Sequence, residues 1–249
     1  LDKADKERRI TGAHALVEAL RSKASIERIF IQNGIASDAV VEIRRLAKEQ
    51  DLPVRYVPAE KIVELSGNDP KSRGIVAFLS AIEYRNLEEL LEEVASSDEV
   101  PLLVMLDQIT DVRNFGGIAR TAECMGAHGI IIPLNQSAPI NADAIRASSG
   151  ALMHVPVCRE KNFKDTLTLF QQVGIKILAC TEDGSKNIYD ENLEEPLCLM
   201  FGSEGEGINP ALLRLADTTV RIPMFGNIES LNVGVAVGMC LYEARKQRS

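Results

Sequence analysis

Along the first eighty residues, runs with apolar positions at helical spacing alternate with short apolar runs of extended type. The pattern predicts a helix from about Gly12 to Arg21, a strand Ile26 to Gln32 and a helix Ser37 to Gln50. A strand Val54 to Val57, a short helix near Glu60 and a strand Gly74 to Ile82 follow. Together these form one compact α/β unit. The next stretch, Asn86 to Val94, sets leucines at helical spacing on an otherwise acidic face, until Ser96, Ser97, Asp98 and Pro101 break it. The chain is therefore expected to divide into an N-terminal domain over 1–82, an acidic linker with a solvated helix over 83–100, and a larger domain over 101–249.

In the larger domain the predicted elements are a strand Leu102 to Leu106, a helix Phe115 to Met125, a strand Gly129 to Ile132 and a helix Ala142 to Ser148. A helix Phe163 to Val173 and the strands Ile175 to Ala179 and Leu197 to Phe201 come next. Asn209 then caps a helix with Pro210 at its first position, and a strand Thr219 to Ile222 and a helix Val233 to Lys246 complete the pattern. Near-continuous apolar strands alternating with helices indicate a mainly parallel sheet covered on both faces. Ligands of such sheets bind beyond the carboxyl ends of the strands.

Composition changes this picture little. No apolar run reaches the ~20 residues that cross a bilayer, and Leu1 to Ile10 is charged without the apolar core of a signal peptide, so a cytoplasmic protein is expected. Five scattered cysteines and three distant histidines suggest neither a zinc site nor a disulfide framework. The formal charge of -8 counts against a nucleic-acid partner until its distribution is considered. Residues 83–100 carry a net -6 and residues 182–195 a net -5, so local patches decide.

Three polar, glycine-containing segments fall at predicted strand ends. The first, Asp107 to Arg120, leads into a helix beginning near Asn114; Asn114 is either that helix's cap or part of a site, and Arg120 is placed to meet an anion. The second, Met200 to Gly207, is not a dinucleotide fingerprint: its glycines lack the G-x-G-x-x-G spacing, and Glu204 and Glu206 would repel a pyrophosphate. Its glycines instead suit close backbone approach to an uncharged or zwitterionic ligand. In the third, Ile222 to Gly238, Ser230 and Asn232 are candidate caps of the last helix, whose Gly234 and Gly238 leave one face bare for close packing.

Taken together, the segments resemble the SpoU/TrmH family of RNA 2'-O-ribose methyltransferases. The motif N-x-G-x-x-x-R stands here as Asn114, Gly116 and Arg120, and G-x-E-G-x-G as Gly202, Glu204, Gly205 and Gly207. The third motif matches at Ile222, Pro223, Met224, Gly226, Ser230, Leu231, Asn232 and Val233. Asp111, Val112 and Arg113 depart from the family pattern where relatives vary. The likeness spans nearly the whole chain and is strongest to members acting on a guanosine of 23S ribosomal RNA, although related enzymes with the same motifs act on tRNA. It implies an N-terminal domain similar to a ribosomal-protein RNA-binding fold, a SPOUT-class α/β catalytic domain with a trefoil knot, and a homodimer. S-adenosylmethionine is the implied methyl donor, held around Thr181, Gly184, Gly202, Glu204, Gly205, Ile222, Met224 and Leu231. By the same likeness, Arg120, Asn114, Ser230 and Asn232 form the catalytic set, with no metal. Arginine is too basic to serve readily as a general base, so Arg120 is expected to hold a phosphate and steady developing alkoxide charge. Glu204 is expected to hold its loop.

Overall fold

The computed structural model describes residues 8–203, 205–228 and 230–249. The chain forms two compact units, one of residues 1–83 with Pro139–Ala142 and one of Tyr84–Ala138 with Asp143–Ser249.

The smaller unit is built on a mixed four-stranded sheet of order β1-β4-β2-β3, with β1 Arg9–Thr11, β2 Ile26–Gln32, β3 Val54–Val57 and β4 Ile75–Leu79. Strand β1, which the pattern did not predict, pairs antiparallel with β4. It is three residues long, too short for a period to register. Helices α1 Ala13–Arg21 and α2 Asp38–Glu49 bury Leu16, Leu20, Ile43 and Ala47 with Ile29 and Ile31 of the sheet. Ile62 of α3, Ala59–Ser66, packs with Phe30 and Val76 in a separate cluster.

The larger unit contains a seven-stranded sheet of order β7-β6-β5-β10-β8-β11-β9 in which every pairing is parallel. Its strands are β5 Leu102–Leu106, β6 Gly129–Pro133, β7 Val157–Glu160, β8 Lys176–Cys180, β9 Lys186–Asn187, β10 Leu197–Phe201 and β11 Thr218–Arg221. All five β5 residues are fully buried, as expected for a sheet covered on both faces.

The acidic stretch is not a solvated linker. Its helix α4, Leu87–Ala95, buries Leu87, Leu90 and Val94 in the core of the larger unit with Leu103, Met105 and Ile131, while its glutamates face water. Amphipathic spacing reports that one face is apolar but not what covers it.

The helix after β5, α5 Val112–Cys124, starts earlier than expected. Asp111 caps it, accepting from the backbone N–H groups of Arg113 at 2.9 Å and Asn114 at 2.8 Å. Asn114 is thus inside the helix, its side chain released from capping. Gly116 lets this helix press on the segment after the short helix α6, Ala142–Ala147: a Cβ there would meet the backbone N of Ser148 at 2.9 Å and collide with Ala147. Helix α7, Phe163–Gln172, covers the α4 side, and the short α8, Pro210–Leu213, is capped by Asn209 as predicted. The last helix, α9 Val233–Gln247, lies parallel to α5: Gly234 sits near Ile118, Gly238 near Thr121, and the Arg245 guanidinium donates to the terminal carbonyls of Met125 and Gly126. The close packing expected of the glycine face is thus made against α5 of the same chain. Among the described residues, no helix is long and apolar enough to cross a membrane.

Candidate active site

The carboxyl ends of β8, β10 and β11 open onto a cavity of ≈ 810 Å³. Each wall arises where a strand stops pairing. After β8, Thr181 N–H still donates to Val220 O at 2.9 Å, and Ser185 then folds back on Thr219, its N–H donating to Thr219 Oγ1 and its hydroxyl to Thr219 O. After β10 the chain makes a tight loop in which Ser203 and Gly207 exchange backbone hydrogen bonds. Gly202 is required there, because a Cβ would overlap the backbone of Gly207 and Ile208. The loop's exit is tied to β5 by Asp107, whose Oδ2 accepts from Asn209 N–H at 2.7 Å. Asp107 is buried, and that burial raises its carboxyl above the ordinary range against the opposing bonds from Asn209 and Gln108.

Of the residues expected to hold a cofactor, Thr181, Gly202, Gly205, Ile222, Met224 and Leu231 line the cavity. Glu204 lies outside the described residues. Gly184 is not on the wall; it lies flat against the Val220 backbone, where a Cβ would not fit. Gly205 lines the wall but stands in open space, so its place does not itself demand a missing side chain.

From the expected catalytic set, Ser230 and Asn232 line the cavity. Asn232 caps α9, its Oδ1 accepting from Gly234 N–H at 3.0 Å, and its side-chain amide donates to Asn114 Oδ1 at 2.9 Å. Ser230, the other candidate cap, leaves that task to Asn232. Arg120 is exposed on α5, off the cavity wall, with no hydrogen bond or ion pair to a described residue.

Cys180, Ile208, Leu213, Ala236 and Cys240, which no sequence motif marked as cavity residues, add to the apolar wall. Burial and the nearby Cys240 thiol push the Cys180 thiol well above its usual range, which favours its protonated form. The charged wall residues are Glu182, Asp183 and Glu206, with no Lys or Arg among the described ones. This sign repels a pyrophosphate and suits a ligand of net positive charge, such as S-adenosylmethionine with its sulfonium and ammonium against one carboxylate. Apolar lining from Ile208, Leu213, Ala236 and Cys240 suits the adenosine of the same molecule.

An all-parallel sheet with a cavity at its strand ends is an α/β architecture that binds small ligands there, and similarity to known proteins narrows the class. Residues 101–242 match the SpoU rRNA Methylase family, and residues 9–85 match RNA 2'-O ribose methyltransferase substrate binding. The chain is 35% identical to the 23S rRNA (guanosine-2'-O-)-methyltransferase RlmB of Ralstonia nicotianae, over 98% of this chain and 97% of that one. It is 30% identical to YacO of Bacillus subtilis, assigned to the TrmH family of tRNA/rRNA methyltransferases, over 96% of each. Among solved structures, the SpoU methyltransferase AviRb of Streptomyces viridochromogenes in complex with AdoMet superposes with a TM-score of 0.60 at 25% identity, covering 96% of this chain and 90% of that one. The AdoMet-bound rRNA methyltransferase of Sinorhizobium meliloti does so at 0.60 and 26%, covering 97% and 88%. The chain belongs to the SpoU rRNA methylase family. It is an RNA 2'-O-methyltransferase of the TrmH type that uses S-adenosylmethionine and takes RNA through its substrate-binding domain.

Proposed function

We propose that the chain methylates the 2'-hydroxyl of a guanosine in 23S ribosomal RNA. The supporting observation is full-length likeness to enzymes named for that reaction, at 35% identity in Ralstonia nicotianae and 34% in Neisseria meningitidis, in both domains together.

Bound S-adenosylmethionine supplies a methyl group on positively charged sulfur, which needs no further activation. The protein's work is therefore to align the ribose oxygen and to ease the loss of its proton as the bond forms. The wall around Thr181, Gly202, Gly205, Ile222, Met224 and Leu231 holds the donor, mainly through backbone. Gly184 contributes by letting its loop lie close to β11. Asn114, fixed by Asn232, and the Ser230 hydroxyl orient the acceptor ribose. Arg120, a permanent cation without a partner among the described residues, holds the adjoining phosphate and stabilises charge developing on the ribose oxygen.

The same reading carries the knotted chain path expected of the class and a homodimer. Val235, Met239 and Tyr242 form an exposed apolar stripe along α9, spaced four and three residues apart, on which a second copy would seat.

The test is alkaline hydrolysis of 23S rRNA from a strain lacking the gene, before and after incubation with the enzyme and S-adenosylmethionine. A 2'-O-methyl group blocks cleavage at its own nucleotide, so one new gap should appear, at a guanosine. A gap at a pyrimidine would overturn the choice of nucleotide. An unchanged 23S ladder with label entering tRNA would overturn the choice of RNA.

A further inference from the structure

Phe225 is 94% exposed, in the loop that joins β11 to α9. Its neighbour Met224 lines the cavity, and Ser230 at the far end of the same loop does too. Ile228, in between, is 73% exposed. Gly226 has open space around it, so no described residue crowds the ring's immediate neighbour. An aromatic side chain this bare contributes nothing to its own fold and forgoes the gain of burial.

The charges nearby restrict what it serves. Glu182, Asp183 and Glu206 stand on the cavity wall with no described lysine or arginine beside them. Phosphate is repelled there, so an RNA nucleotide brought to the methyl donor is not held at this wall through its backbone. An uncharged flat surface remains available, and every nucleobase offers a matching π-face. The cation Arg120 stands away from this wall, on α5.

We propose that Phe225 is a substrate-binding residue on whose ring the base of the target nucleotide stacks while its ribose reaches the cavity. The proposal rests on the cavity being the methyl donor's site. It divides the grip on RNA between a stacked base at the β11–α9 loop and phosphate contacts elsewhere. Stacking is indifferent to base identity, so Phe225 supplies affinity and leaves the choice of base to other groups.

The experiment uses the full chain with total RNA from a strain lacking the gene, titrated at saturating S-adenosylmethionine. Phe225→Ala should raise the RNA concentration for half-maximal rate about tenfold or more. Phe225→Trp should stay within about threefold of the parent, whereas Phe225→Leu should behave like the alanine variant, because stacking needs a ring. Cofactor affinity by calorimetry should be unchanged in all three; a parallel loss there would show that the ring belongs to the cofactor pocket and overturn the proposal. Unchanged RNA dependence in Phe225→Ala overturns it as well. So does full rescue by leucine, or a shift in sedimentation showing that the ring meets a second copy instead.

Discussion

Asn232 donates its side-chain amide to the side-chain oxygen of Asn114 across 2.9 Å, joining residues 118 apart in sequence. Both helices of the parallel pair begin here, so one contact sets the ends of α5 and α9 against each other at the cavity. The two residues differ in what else they do. Asn232 also caps α9, so Asn232→Ala should cost about 1 kcal/mol of stability in addition to activity. Asn114 is not the cap of α5, and Asn114→Ala should lose turnover by about 100-fold without the loss of a helix cap. Combining the two should cost less activity than the sum of the single losses. Additive losses would mean that the contact is incidental to catalysis.

For Arg120, the expectation is a separation of chemistry from cofactor binding. Arg120→Ala should reduce kcat by ~100-fold or more while leaving S-adenosylmethionine affinity as it is, because the side chain is off the cavity wall. A comparable loss of cofactor affinity would reassign it as a ligand contact.

Two glycines of the same motif should respond oppositely. Gly202→Ala puts a Cβ onto the backbone of Gly207 and Ile208, so the loop must open and cofactor binding should be lost. Gly205→Ala meets nothing within 4 Å and should bind cofactor nearly as the parent does. Calorimetry on both folded variants checks the contrast, and equal losses would contradict the loop geometry.

Asp107 should make stability depend on pH. Burial holds its folded-state pKa above the unfolded value, so the native state favours the protonated carboxyl. Its contribution is then complete below the unfolded pKa and is lost as pH rises through the raised folded value. Compared with Asp107→Asn, which does not titrate, the parent should be relatively most stable in acid and lose ground as pH rises above the ordinary aspartate range. Paired melting curves across that range measure it, and a constant difference in Tm would mean that the carboxyl is not strained by burial.

Periodicity alone determined the α/β class, nearly all the helices and the parallel character of the larger sheet, because each depends on local apolar spacing and on strands too apolar to face water. The motif residues were legible for the same reason: Gly202 and Asn232 act on chain within a few residues of themselves, one by relieving a tight loop and one by capping a helix. What sequence could not give was the identity of a partner distant along the chain. The leucines of α4 are as amphipathic on a linker as in a core, and only the tertiary structure put them against Leu103 and Met105. Gly234 and Gly238 leave a helix face open to any close neighbour, and only packing decided that α5 takes it. Asp107, Asn209, Asn114 and Asn232 are ordinary capping and turn residues by type. Their pairing across more than a hundred residues depends on which strand ends lie side by side, and that is fixed by the order of strands in the sheet.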